Sequence, residues 1–480
     1  MSTEITQTKK KKLFGGQDEL DMTQGSIIGN LVTFALPLLV GNLFQQLYNM
    51  VDTYVIGQTG DSGAYAAVGS VGPVINILLG FFSGLASGAG VLISQYFGAK
   101  NREGVRRTVH AAMLMTFAMG VLFTILGLAM TPVMLRWMLH ESADGSANTV
   151  LPHAREYLMI YFSGVMSIVV YNMGAGILRA VGDSRRPLMF LVVSAVTNTV
   201  LDCVFVFGFD MGVAGVAWAT VIAQTLSAIL TLVVLLRTDS CVRFTPSQMR
   251  FDREMLGKIV GIGIPAAIQL ALTAFANVFV QSYIANINGV QEANLGGWTT
   301  YSKIDQFIFL PIQSLALAVT TFVGQNLGIG NVKRARRGTL LAYLRSTACS
   351  LAIIVPVMIF ASPLSRLFNS DPAVVAVATR LLHIITPFYL FSSINQILAA
   401  SMRGAGNSRT PMIVMLSSFV GVRQIYLYLM SNFGSNELIP IAISYPVGWF
   451  ACACFMLACF FTFDYSRARL TGDAAEIDQR

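Results

Sequence analysis

Four polar residues, Gln45, Tyr48, Asn49 and Asp52, interrupt an otherwise apolar stretch of the chain. Their spacing of i, i+3, i+4 and i+7 places them on one face of a helix. An ionisable side chain in the middle of an apolar span costs about 2.5–3.5 kcal/mol on insertion scales, so its presence points to function. Asp52 is the clearest such residue, with solvation at the outer interface as the competing explanation, because Asp61 follows shortly after it. Asn198 and Asp202 lie one helical turn apart in a later apolar run, and Thr220 stands in the run after that. Brought together, Asp52, Asn198, Asp202 and Thr220 present oxygen ligands, a set that suits a hard cation or a proton shared between two carboxylates. For Asp202 the competing explanation is a carboxylate near the outer end that caps or pairs locally. Pro37 lies upstream of Asp52, where it removes one backbone hydrogen bond and lets the helix bend.

A second polar group comes late in the chain: Lys303 and Asp305 in TYSKIDQF, and Arg423 in GVRQIY. Lys303 and Asp305 are two apart and do not face each other on a helix. Asp305 and Arg423 are expected to form an ion pair between helices, in a structural or a transport role. All three are candidates for a substrate cavity, together with Gln45, Tyr48 and Asn49. The four histidines are scattered and the six cysteines show no metal spacing. No G-x-x-x-x-G-K-[ST] loop is present, so no nucleotide drives this chain by itself. No cofactor is expected beyond a coupling H⁺ or Na⁺.

The elements that must carry these residues are membrane helices. The 480 residues are 54% hydrophobic and 12% charged, with mean hydropathy +0.64, whereas soluble domains carry about 25% charged residues. A membrane helix needs about 20 apolar residues. Apolar segments run at about 26–56, 64–97, 105–133, 151–179, 187–208, 212–236, 255–287, 295–328, 339–361, 374–402, 411–431 and 439–463. Every second loop is rich in Lys and Arg, beginning with Lys9–Lys12, which predicts twelve spans with both termini cytoplasmic. The net charge of +8 sits in these short clusters with few aromatics among them, so it does not indicate nucleic acid. The polar N-terminus has no short apolar region with a cleavage site, so no removable signal peptide is expected.

The two halves repeat. QYFGAKNREGVRRTV (95–109) pairs with QNLGIGNVKRARRGT (325–339), GAGILRAVGDSRRPLM (174–189) with LAASMRGAGNSRTPMI (398–413), and Pro37 with Pro265, at a nearly constant offset. An even number of helices separates equivalent points, so both halves cross the membrane in the same sense, related by an axis along its normal. The expected organisation is a cytoplasmic tail 1–24, an N-lobe 25–236, a linker 237–253, a C-lobe 254–464 and a tail 465–480. The repeat carries Asp52 onto Val280, and Asn198 and Asp202 onto Val422 and Tyr426, which confines the carboxylates to the first lobe.

ALPLLVGNLFQQLYNMVDTYVIGQTG (35–60), LISQYFGAK (92–100), LRAVGDSRRP (178–187) and MRGAGNSRTP (402–411) resemble the multidrug and toxic compound extrusion (MATE) family over about 25–464. The resemblance implies an all-α membrane protein of two six-helix bundles arranged as a V, exporting organic cations by Na⁺ or H⁺ entry. Members of the DNA-damage-inducible type carry a first-lobe cation site, and its pattern matches here at Pro37, Asp52, Asn198, Asp202 and Thr220. Another branch has acidic residues on its seventh and tenth helices, which the corresponding stretches, about 265–285 and 383–402, lack. The expectation is therefore a monomeric plasma-membrane antiporter whose partners are an amphipathic small molecule and the lipid bilayer. A lipid-linked precursor flippase is the alternative, kept open by Lys303 and Arg423. A membrane-embedded enzyme ranks last, because no reactive cluster is visible.

Overall fold

The computed structural model describes residues 19–138, 147–285, 287, 291–434, 437–468 and 470. The first half holds α1 (Ile27–Gly57), α2 (Ser62–Gly98), α3 (Arg102–Met138), α4 (Ala147–Ser163), α5 (Val165–Ala180), α6 (Arg185–Asp202) and α7 (Gly212–Arg237). The second holds α8 (Arg253–Ala285), α9 (Gln291–Gly328), α10 (Val332–Ile359), α11 (Ala361–Arg366), α12 (Pro372–Ile385), α13 (Tyr389–Gly404), α14 (Arg409–Leu416), α15 (Arg423–Phe433) and α16 (Leu438–Thr462). Among the described residues, 11 helices are long and apolar enough to cross a membrane, and α4 with α5 makes a twelfth span bent by 51°. The bend falls at Gly164, where a Cβ would lie 2.6 Å from a Val221 methyl, so α7 passes directly against the break.

Two short π-helical turns interrupt otherwise regular spans. One, Cys203–Gly208, follows Asp202, and the other, Ser417–Val422, precedes Arg423. Such turns occur often at functional sites, and each of these adjoins a buried charged residue.

Small residues let the lobes meet backbone to backbone along α2 and α8. A Cβ on Gly84 would lie 2.3 Å from Ala267 Cα, and one on Gly88 would lie 2.6 Å from Gly263 Cα. Close approach of this kind substitutes for a hydrophobic drive between helices in lipid. At the side of the bundle that carries the basic loops, the repeat motifs themselves meet. A Cβ on Gly98 would lie 2.0 Å from Gln325 O, and one on Gly328 would lie 2.1 Å from Gln95 O. Gln95 Nε2 donates to Gly404 O at 3.1 Å and Gln325 Nε2 to Ala180 O at 3.2 Å, a pseudo-symmetric exchange between lobes. The amide oxygens are used as well: Gln325 Oε1 accepts from Met22 N and Gln95 Oε1 from Leu470 N, both at 2.9 Å. This side of the cleft is closed. Gln325→Ala strands its two partners, Met22 N and Ala180 O, and is expected to cost about 1–3 kcal/mol, seen as a lower thermal midpoint in detergent.

Helix α1 belongs to both lobes. Its first turns (Leu31, Phe34, Leu38) pack in a buried cluster with Leu315, Val319 and Phe322 of α9. Its last turns (Val55, Ile56) pack in the N-lobe core with Val71 and Val206. Pro37 lies within the first of these contacts, one residue before Leu38, and α1 runs unbroken through it.

The linker docks on the N-lobe. Val242 and Phe244 enter its core, and Thr245 N donates to His110 Nε2 at 3.1 Å. Arg107 bridges Asp252 at 2.7 Å and Glu254 at 3.2 Å. The hydrogen bond from Arg107 holds the Asp252 carboxyl below the usual carboxylate range. A folded-state value below the unfolded one stabilises fully above about pH 4, the unfolded value, and the stabilisation disappears as pH falls through the depressed value. The pair is partly solvated, so Asp252→Asn is expected to cost under about 1 kcal/mol near neutral pH. It should also flatten the acid limb of a thermal-midpoint-versus-pH curve.

Candidate cation site and inter-lobe cleft

α1, α6 and α7 converge in the N-lobe, and the one-turn spacing of Asn198 and Asp202 turns both toward α1. Asp52 is 9% exposed, Asn198 1%, Asp202 0% and Thr220 9%. Asp52 lies against Asp202 and Asn198, and Tyr157 of α4 lies against Thr220. Asp52 Oδ1, both Asp202 carboxyl oxygens, Thr220 Oγ1 and both amide atoms of Asn198, Oδ1 and Nδ2, are buried with no hydrogen-bond partner of good geometry among the described residues. Two carboxylates buried this close together cannot both carry a charge cheaply without a proton or a cation to balance them. The cluster's oxygens fit a hard cation or a proton, and it has too few soft ligands for a transition metal.

The other N-lobe candidates flank this cluster. Tyr48 is buried one turn before Asp52, with its hydroxyl 3.5 Å from Gln224 Nε2, and Gln45 also lies against it. Asn49 is exposed, and its backbone carbonyl accepts from Thr53 Oγ1 at 3.0 Å. Sequence reasoning missed Tyr157, Tyr161 and Gln224, although each left a trace. Tyr157 and Tyr161 are one turn apart and stack with ring centroids 6.3 Å apart, and Gln224 is one turn past Thr220.

In the C-lobe the expected Asp305–Arg423 ion pair is not formed. Asp305 Oδ1 accepts instead from Tyr301, one turn earlier on α9, at 3.0 Å. Arg423 Nη2 donates to Asn277 Oδ1 on α8 at 3.0 Å, and its guanidinium stacks 4.8 Å from the Tyr445 ring centroid. Local donors and a flat aromatic face meet these groups before they can meet each other. Lys303, half-exposed, joins neither group by hydrogen bond or ion pair among the described residues.

Two similar six-span lobes, a cleft closed at one side and a buried polar cluster within one lobe define a membrane transporter rather than an enzyme. The MatE family model matches residues 37–204 and 265–429, once in each half, and the chain belongs to the MATE family. It is 28% identical over 436 residues to "Probable multidrug resistance protein YpnP" of Bacillus subtilis, covering 91% of this chain and 96% of that protein. It is 28% identical over 353 residues to "FAD transporter" of Shewanella oneidensis, covering 72% and 75% respectively. A solved structure described as the outward-facing conformation of a multidrug resistance MATE family transporter superposes with TM-score 0.86 at 24% identity, covering 94% of this chain and 99% of that one. These relatives do not favour the lipid-precursor flippase.

Proposed function

We propose that this chain exports drug-like organic compounds, organic cations foremost, from the cell by exchange with an incoming Na⁺ or H⁺. The observation that carries the reading is the set of buried, unpartnered oxygens that α1, α6 and α7 hold between Asp52 and Asp202. The first-lobe pattern of the DNA-damage-inducible type supports the same assignment of Asp52, Asn198, Asp202 and Thr220 as the coupling site. The basic loops lie in the cytoplasm, with both termini, and the protein acts as a monomer in the plasma membrane. No cofactor takes part beyond the coupling ion.

α1 supplies the transmission. Asp52 lies well past Pro37, on the stretch of α1 whose Val55 and Ile56 enter the N-lobe core, while the turns around Pro37, from Leu31 to Asn42, pack on α9 of the C-lobe. An ion that draws Asp52 toward Asp202 moves the outer part of α1 about the weak point at Pro37, which changes the N-lobe wall of the cleft. An ion shifts the balance between states only by binding them unequally, and the Asp52–Asp202 spacing is the quantity that differs. Proteoliposomes loaded with a fluorescent organic cation and given a Na⁺ or a pH gradient separately test this. Dye movement under one of the gradients is expected, and dye held back under both contradicts the reading.

A further inference from the structure

The second lobe carries a polar site of opposite charge. Arg423 is 2% exposed, at mid-span of a helix pair interrupted by the π-helical turn Ser417–Val422. Asn277, its hydrogen-bond partner, is the repeat counterpart of Asn49, three residues before Asp52 on the matching helix. The eleventh span, which bears Arg423, is the counterpart of the one that bears Asn198 and Asp202, and Tyr445 comes from the counterpart of the span that bears Thr220. The C-lobe thus uses the same three helices as the N-lobe and sets a guanidinium among them, at Arg423, one position past Val422, the counterpart of Asn198.

That guanidinium lacks a counter-charge. No carboxylate pairs with Arg423 among the described residues, and its Nε is buried without a hydrogen-bond partner. One nitrogen donates to Asn277, and the plane rests on Tyr445. Both are neutral groups and leave part of the donor fork unused. Room for the side chain is made by Gly448, where a Cβ would lie 3.4 Å from Arg423 Cβ. A buried, unpaired charge in a membrane protein is retained at a cost, and such residues mark substrate paths.

The site also has a way in. Gly263, Ala267 and Leu270 are among the residues by which α8 touches α2. Asn277 lies two turns further along that stripe and is exposed, beyond the last α2 glycine in contact with α8, since a Cβ on Gly80 would meet Leu270 and one on Gly72 would meet nothing within 4 Å. Tyr445 OH, 3.4 Å from Asn277 Oδ1, lines the same mouth.

We propose that Arg423, Asn277 and Tyr445 form an anion subsite in the C-lobe that receives a carboxylate or phosphate group carried by the substrate. The planar fork of arginine suits such groups, binding them through two parallel donors. Asn277 swings to offer its amide once Arg423 has a better acceptor, and Tyr445 adds its hydroxyl. The protein would then take zwitterionic or anionic amphiphiles as well as simple cations. This rests on the reading that the cleft carries cargo.

Two dyes that differ in one group provide the test: rhodamine 110, with a free carboxylate, and rhodamine 123, its methyl ester. Their affinities for the purified full chain in detergent are measured by fluorescence anisotropy. The unmodified protein is expected to bind both. Arg423→Met, which keeps the stem and removes the charge, should weaken rhodamine 110 about tenfold or more relative to rhodamine 123. Arg423→Lys, which restores a point charge, should recover part of that ratio, and Asn277→Ala should lower it by a smaller factor. Failure of the unmodified protein to bind rhodamine 110, or an unchanged ratio in Arg423→Met and Asn277→Ala, would overturn the proposal. Gradient-driven efflux of rhodamine 123 by the unmodified protein separates the two levels, because efflux with an unchanged ratio removes the anion subsite and leaves the transport reading standing.

Discussion

Efflux driven by an imposed ion gradient is expected to fall at least about tenfold in Asp52→Asn and in Asp202→Asn, the factor set by 1.4 kcal/mol of differential ion binding. Asparagine preserves volume and one carbonyl oxygen, so the buried cluster stays filled. What it removes is the charge that a cation neutralises and the site that a proton occupies. Both carboxylates lie in one cluster with Asn198 and Thr220, and residues that act as a unit are not additive. The double variant should therefore be little worse than either single one. The measurement is the initial rate of dye efflux from proteoliposomes, with far-ultraviolet circular dichroism to show that the helices persist. Full gradient-driven efflux in Asp52→Asn would remove the coupling site from the account.

The second large effect concerns closure. Gly98→Val and Gly328→Val place carbon where Gln325 O and Gln95 O now lie, at 2.0 and 2.1 Å from the first added atom. Neither carbonyl can step aside, because each belongs to the backbone of a long helix in the opposite lobe. Only separation of the lobes relieves the overlap, so both variants should be held open on the basic side and should lose efflux. The reporter is a cysteine at Ser94, which is 1% exposed, in a background with the six native cysteines replaced. Its rate of modification by a charged thiol reagent should rise about tenfold or more. Gly257→Ala is the control, since a Cβ there meets nothing within 4 Å, and it should leave the rate unchanged.

Much of this architecture was legible in the residues because the bilayer acts on each span separately. Length, apolarity and flanking Lys and Arg locate twelve crossings without any knowledge of tertiary contacts. The helices exceed the apolar segments at their polar ends: α3 starts at Arg102 and α10 at Val332, taking the basic residues of the loops into their first turns. The break at Gly164 was not legible, because the Val221 side chain that lies against it comes from another span. The N-lobe cluster could be assembled because Gln45, Tyr48 and Asp52 share a face and Asn198 and Asp202 share another, so few helix rotations keep them from lipid. Asp305 and Arg423 failed as a pair for the converse reason. Which partner each meets depends on the rotations of α8, α9 and α15, and no spacing within one span encodes those. Gln95 and Gln325 were visible as repeat positions, yet their closing contact lies on the pseudo-symmetry axis, where only the folded chain brings equivalent residues together.

Reverse coupling tests the central claim most directly. Proteoliposomes are given an outward gradient of the organic cation and no ion gradient, and internal Na⁺ and pH are followed with trapped indicators. If Asp52 and Asp202 hold the coupling ion, the unmodified protein drives one of the two ions inward as the dye leaves, and Asp52→Asn releases dye without any ion movement. Ion movement in step with dye in Asp52→Asn would contradict the account and place the coupling site elsewhere in the chain.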